Sequence, residues 1–218
     1  MYLKQILTLI KKDLLLEWRQ KHTLFGVVLY VGCTVFVLYM MAGQPESRIW
    51  NALFWIAQLF VTVNTVAKSF LQEGEGRARY YFTLVTPVQY MLAKMVYSLV
   101  LMLFMTFISL ALFNLLLGSP VNRMLMFTGV CCLGASSLSL LFTFLSAIAA
   151  QARQNAALMA ILGFPIAIPL LMILSNLALG AVSPVIQEGW WGMAFMMLGM
   201  DVLIIGLGVV LFPFLWKE

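Results

Sequence analysis

Six apolar stretches constrain this chain more than any other feature: roughly Leu24 to Met41, Ile49 to Ala67, Met95 to Leu117, Met124 to Ala150, Ala156 to Leu179 and Trp190 to Trp216. A helix crosses a bilayer with about 20 apolar residues, and breaks bearing charge, proline or glycine separate these runs. Within hydrocarbon every backbone N–H and C=O must be paired, which leaves helices or closed barrels, and the runs lack the short alternating pattern of barrel strands. Of the residues, 63% are hydrophobic and 10% charged, against about 45–50% and 25% in soluble domains, which excludes a water-soluble globule. The expectation is an all-α polytopic membrane protein: one transmembrane domain over residues 1–218, with six transmembrane helices preceded by an amphipathic interfacial helix.

An even number of spans puts both termini on one side. Of the 13 Lys and Arg residues, only Arg48 and Arg123 fall in the opposite loops, so the positive-inside rule predicts cytoplasmic termini. The net charge of +5 is thereby explained by orientation and calls for no nucleic acid. Lysines and arginines scattered through residues 1–23 do not resemble a secretory signal, and a retained amino terminus is expected.

Within residues 1–23, Leu3, Ile6, Leu7, Ile10, Leu14 and Trp18 recur at spacings of three and four with lysines along the edge, which predicts a helix lying at the membrane surface. Anchoring at anionic headgroups and transmission of motion are both open roles for it. The longest non-spanning connection, residues 68–94, mixes charge with aromatics: Glu73, Gly74, Glu75 and Gly76, then Arg77, Arg79, Tyr80, Tyr81 and Phe82, then Pro87, which restricts Thr86 and ends any preceding helix. Either an interfacial loop with its tyrosines at headgroup depth or an element inserted into a soluble partner fits this content.

No G-x-x-x-x-G-K-[ST] phosphate cradle and no H-E-x-x-H occur, so neither P-loop nucleotide hydrolysis nor zincin chemistry is expected. His22, the one histidine, stands too isolated for a metal site or a Ser-His dyad. Cys33, Cys131 and Cys132 lie in apolar runs as packing residues, and the methionines form no copper-ligand cluster. No bound cofactor or metal site is assigned, and no catalytic residue.

Asp201 is the acidic residue deep inside a span, where a charge costs on the order of 3 kcal/mol to insert, so it must face protein or water. A structural hydrogen bond and a place in a transport path or subunit contact are its two readings. Gly192, Gly199, Gly206 and Pro213 follow at seven-residue intervals along one stripe. Asp201 points roughly 200° away from that stripe, which predicts protein or water on both sides of this helix. In the fifth span Gly163, Pro165 and Pro169 predict a kinked helix, static or hinged, because each proline removes a backbone donor and obstructs the preceding turn.

The KKDLLLEWRQK segment from Lys11, Glu75 with Gly76, the TPVQYMLAK run from Thr86 to Lys94 and the double-proline GFPIAIPLLMIL from Gly163 together resemble the CcmB family, the haem exporter protein B permeases of type-2 ABC exporter character. The resemblance covers nearly the whole chain. It implies a bacterial inner-membrane permease subunit without catalysis of its own, driven by a partner ABC ATPase (CcmA-like) that docks on Glu73 to Pro87. It further implies companion membrane subunits (CcmC-like and CcmD-like) and a haem chaperone (CcmE-like), with haem as substrate exported or handed over during cytochrome c maturation. A type-2 ABC permease for a lipid or another small molecule, and an ATP-independent membrane assembly scaffold, are the competing functions.

Overall fold

A computed structural model describes residues 2–19, 21–71, 85–151, 156–183 and 189–215. The described residues form seven helices and no strands: α1 (Tyr2–Arg19), α2 (Lys21–Ala42), α3 (Ser47–Leu71), α4 (Pro87–Leu116), α5 (Met124–Gln151), α6 (Ala156–Val182) and α7 (Trp190–Leu215). The last six are long and apolar enough to cross a membrane, which makes the chain an integral membrane protein of all-helical class.

Helix ends follow local chemistry. Gly43 and Gly118, at φ 59° and 77°, take the left-handed conformation that stops α2 and α4, a geometry that is cheap only without a Cβ. Proline at the first position of α4 starts that helix, since its missing N–H would be unpaired there anyway.

This start lies earlier than the apolar run suggested, because the helix that carries the third span begins at Pro87 and not near Met95. Lys94 had marked a boundary, yet it lies inside the helix with its charge compensated. At 30 residues α4 is about 45 Å long, against a hydrocarbon core of about 30 Å, so one end extends beyond the core. Both prolines of α6, Pro165 and Pro169, lie inside one unbroken helix.

α5 is the centre of the bundle and packs against α3, α4, α6 and α7, whereas α2 lies at the edge against α1, α3 and α4. Small residues set these approaches. A Cβ on Gly134 of α5 would stand 2.5 Å from Trp55 Cη2 of α3, and one on Gly163 of α6 2.5 Å from Phe142 Cε1 of α5, so both crossings depend on glycine.

Pairings fix which helix ends lie together. Tyr90 near the start of α4 stacks on Phe212 near the end of α7, with ring centroids 6.1 Å apart, and α1 packs on α4. At the other end the Arg123 N–H donates to the Ala181 carbonyl (3.1 Å) and Asn122 Nδ2 to that of Val182 (2.7 Å). The loop before α5 thereby supplies donors that the last turn of α6 lacks within its own helix. Trp190 is buried there, donates to the Leu177 carbonyl at 2.9 Å and fills the notch left by Gly180. Trp191, beside it, is exposed.

The interior is divided along its length. Away from the termini, Trp50 stacks on Phe54 with centroids 5.7 Å apart, and Phe113 and Phe127 meet Trp50 edge-on at 5.5 and 5.6 Å. These fully buried rings join α3, α4 and α5. Toward the termini, buried charge joins the helix contacts at Asp13 and Lys94.

Candidate functional site

Four-residue spacing puts Gln5, Leu9, Asp13 and Glu17 on one face of α1, and that face meets α4. On α4, Tyr90, Lys94 and Tyr97 share a face by the same periodicity. Lys94 Nζ lies 3.1 Å from Asp13 Oδ2, and Lys12 Nζ 2.9 Å from Asp13 Oδ1. The Tyr97 hydroxyl donates to Glu17 Oε2 at 2.8 Å. Lys94 is further flanked by the Tyr90 and Tyr97 rings, whose centroids lie 5.8 and 5.7 Å from its Nζ.

Exposure is 7% for Asp13 and 3% for Lys94, so neither charge is solvated enough to stand alone. The pair works as a clamp: removing Asp13 takes the carboxylate from a buried ammonium, whereas removing Lys94 leaves Asp13 its ion pair with Lys12.

A relay extends the clamp to the chain before α4. The Thr86 N–H donates to Gln89 Oε1 at 3.1 Å, and Gln89 Nε2 donates to Gln5 Oε1 at 2.9 Å. One side-chain amide thus caps the first turn of α4 with its oxygen and holds α1 with its nitrogen. Residues 72–84 precede Val85 and Thr86 in the chain, and Gln89 is the side chain that accepts from the Thr86 N–H. Of the residues expected in the ATPase-coupling element, Pro87 opens α4; Glu73, Gly74, Glu75, Gly76, Arg77, Arg79, Tyr80, Tyr81 and Phe82 lie outside the described residues.

Polar groups also join the spans internally. Asp201 of α7 is 7% exposed and faces α5, where Ser136 Oγ donates to its Oδ2 at 3.1 Å. The Ser136 and Ser137 hydroxyls also reach the Leu133 carbonyl at 2.8 and 3.0 Å. Gly192, Gly199 and Gly206 lie on the exposed side of α7, where an added Cβ would meet nothing within 4 Å.

Two polar residues of α3 were passed over in the sequence. Asn51 Nδ2 donates to the Ser175 carbonyl and hydroxyl of α6 at 2.9 and 3.0 Å, while its Oδ1 accepts from Trp55 Nε1 at 3.0 Å. Gln58 Oε1 accepts from Thr106 Oγ1 of α4 at 3.1 Å. A signal existed: Asn51, Gln58 and Thr65 recur at seven-residue intervals, one polar line on an apolar helix. Gly163, next to the prolines, packs on Phe142 and Leu145, and no group of three or more His, Cys, Asp or Glu suited to a metal ion occurs among the described residues.

The geometry is that of a side-chain clamp joining two helices at one end of a helical membrane bundle. A family model described as CcmB protein matches residues 4–215. The chain belongs to the CcmB family. CcmB proteins are membrane components of haem transport in cytochrome c biogenesis, in keeping with the six apolar helices. The match takes in α1, the clamp, the 72–84 segment and every span, so the relay through Gln89 lies inside the CcmB region. No curated protein and no solved structure matches this chain.

Proposed function

We propose that this CcmB-family chain is the permease subunit of a type-2 ABC complex, a mechanical part moved by a separate ATPase. In this reading the chain sits in the bacterial cytoplasmic membrane with both termini in the cytoplasm and α1 along the membrane surface. A CcmA-like ATPase docks on the segment that includes Glu73 to Pro87. Closure of that ATPase drives haem export, or release of a CcmE-like haem chaperone, together with CcmC-like and CcmD-like membrane subunits. Haem is the substrate and not a resident group of this chain.

The observation that carries the proposal is the Thr86–Gln89–Gln5 relay backed by the Asp13–Lys94 pair. It ties the exit of the expected docking segment to two helices at once, so a push there moves α1 and α4 as a unit.

Purification of the intact complex is the test. The wild-type chain is expected to bring down a soluble P-loop ATPase, and joint replacement of Glu75, Tyr81 and Phe82 by alanine to release it while the membrane subunits stay together. Deletion of the chain is expected to abolish c-type cytochromes and spare other haem proteins. ATPase retention by the triple variant refutes the docking assignment, and loss of all haem proteins refutes the cytochrome c pathway.

A further inference from the structure

We propose that the outward face of α1 binds anionic phospholipid headgroups selectively, beyond simply lying at the membrane. Charges on this helix are sorted. Its two acids, Asp13 and Glu17, both turn inward and are both engaged by α4, through Lys94 at 3.1 Å and Tyr97 at 2.8 Å. Facing the other way are exposed Leu7, Leu14 and Leu15 with exposed Lys11 and Arg19, and no described acid shares that side. Had the acids lain outward, they would have cancelled the bases; held inward, they leave a face that is basic and apolar together.

The placement of Lys11 selects lipid over a soluble protein. It stands four residues from both Leu7 and Leu15, and Leu7 and Leu15 are 62% and 58% exposed. A lysine among leucines is satisfied where its stem crosses an apolar phase and its ammonium meets phosphate, which is the acyl–headgroup boundary. The chain also holds α1 at that depth, because only Gln20 separates it from the first spanning helix. Each base close to an anionic surface contributes roughly a fivefold preference over a zwitterionic one.

The full chain, with Cys33→Ser to remove an exposed thiol, is labelled with bimane at Leu15→Cys and reconstituted in phosphatidylcholine vesicles. Small equal fractions of brominated phosphatidylglycerol or brominated phosphatidylcholine are then added. Stronger quenching by brominated phosphatidylglycerol is expected, falling about fivefold with Lys11→Gln and again with Arg19→Gln, kept by Lys11→Arg, and unchanged by Arg48→Gln at the far end of the bundle. Circular dichroism confirms that each variant keeps its helices. Equal quenching by the two lipids, or a preference that survives Lys11→Gln plus Arg19→Gln, overturns the proposal. So does loss of ATPase co-purification in that double variant with lipid preference intact, which would assign the face to a protein.

Discussion

Asp13 of α1 and Lys94 of α4 form an ion pair of 3.1 Å between residues 81 positions apart, with both side chains withdrawn from solvent. Asp13→Ala takes the carboxylate away from the buried Lys94 ammonium and is expected to cost about 3–5 kcal/mol, whereas Lys94→Met leaves Asp13 its ion pair with Lys12 and should cost less. The double variant Asp13→Leu plus Lys94→Met removes both charges and should recover most of that loss. Thermal unfolding of the detergent-solubilised chain, arranged as a double-mutant cycle, checks the outcome, and additive losses would contradict a clamp.

Gln89 serves Thr86 and Gln5 through the two ends of one amide. Gln89→Leu should therefore leave the complex assembled while lowering c-type cytochrome accumulation severalfold, because force from the coupling segment no longer reaches α1. Gln89→Glu keeps the acceptor for Thr86 but loses the donor for Gln5, and should fall between wild type and Gln89→Leu. Haem staining of membranes, paired with subunit counting, separates lost transmission from lost assembly.

Glycines on the two sides of the bundle should respond oppositely to alanine. At Gly134 a methyl group would stand 2.5 Å from Trp55 Cη2, and the indole is held by its bond to Asn51, so Gly134→Ala should destabilise by about 1–3 kcal/mol. Gly199→Ala meets nothing within 4 Å and should stabilise the isolated chain by about 0.5–1 kcal/mol through helix propensity. Unfolding midpoints of the two variants should move in opposite directions.

Asp201 has a different signature. Ser136 retains the Leu133 carbonyl as an acceptor when the carboxyl is gone, so Asp201→Leu orphans no described donor. It also removes a polar group whose insertion costs roughly 3 kcal/mol when charged. Thermal stability should hold or rise, whereas c-type cytochrome production should drop severalfold, and Asp201→Asn should preserve both. Wild-type production by Asp201→Leu would show that this carboxyl has no part in the function.

The six spans were legible because hydrocarbon thickness imposes a length that apolar runs display directly, and the ends found at Met124 and Trp190 agree with the expected ones. The start of α4 was not. Lys94 read as a boundary because the partner that compensates it, Asp13, belongs to another helix, and no local pattern announces a pairing across that distance. For α1 the apolar stripe was evident from spacing, but the packing of its polar face on α4 required the neighbour. Asn51 and Gln58 were visible as a seven-residue polar line, hidden only by the high apolarity around them. Of the expected coupling residues, Pro87 alone has a described position, and the relay beside it came from three-dimensional contacts.

At the rim opposite the termini, Asn122, Arg123 and Trp190 fasten the last turn of α6 to its neighbours. In the proposed reading, a bundle stapled at that edge and driven by an ATPase at the other would work as a clothes-peg does, its jaws swinging about the stapled edge. The widest excursion would then fall among the helix ends nearest the ATPase, and the smallest at the rim.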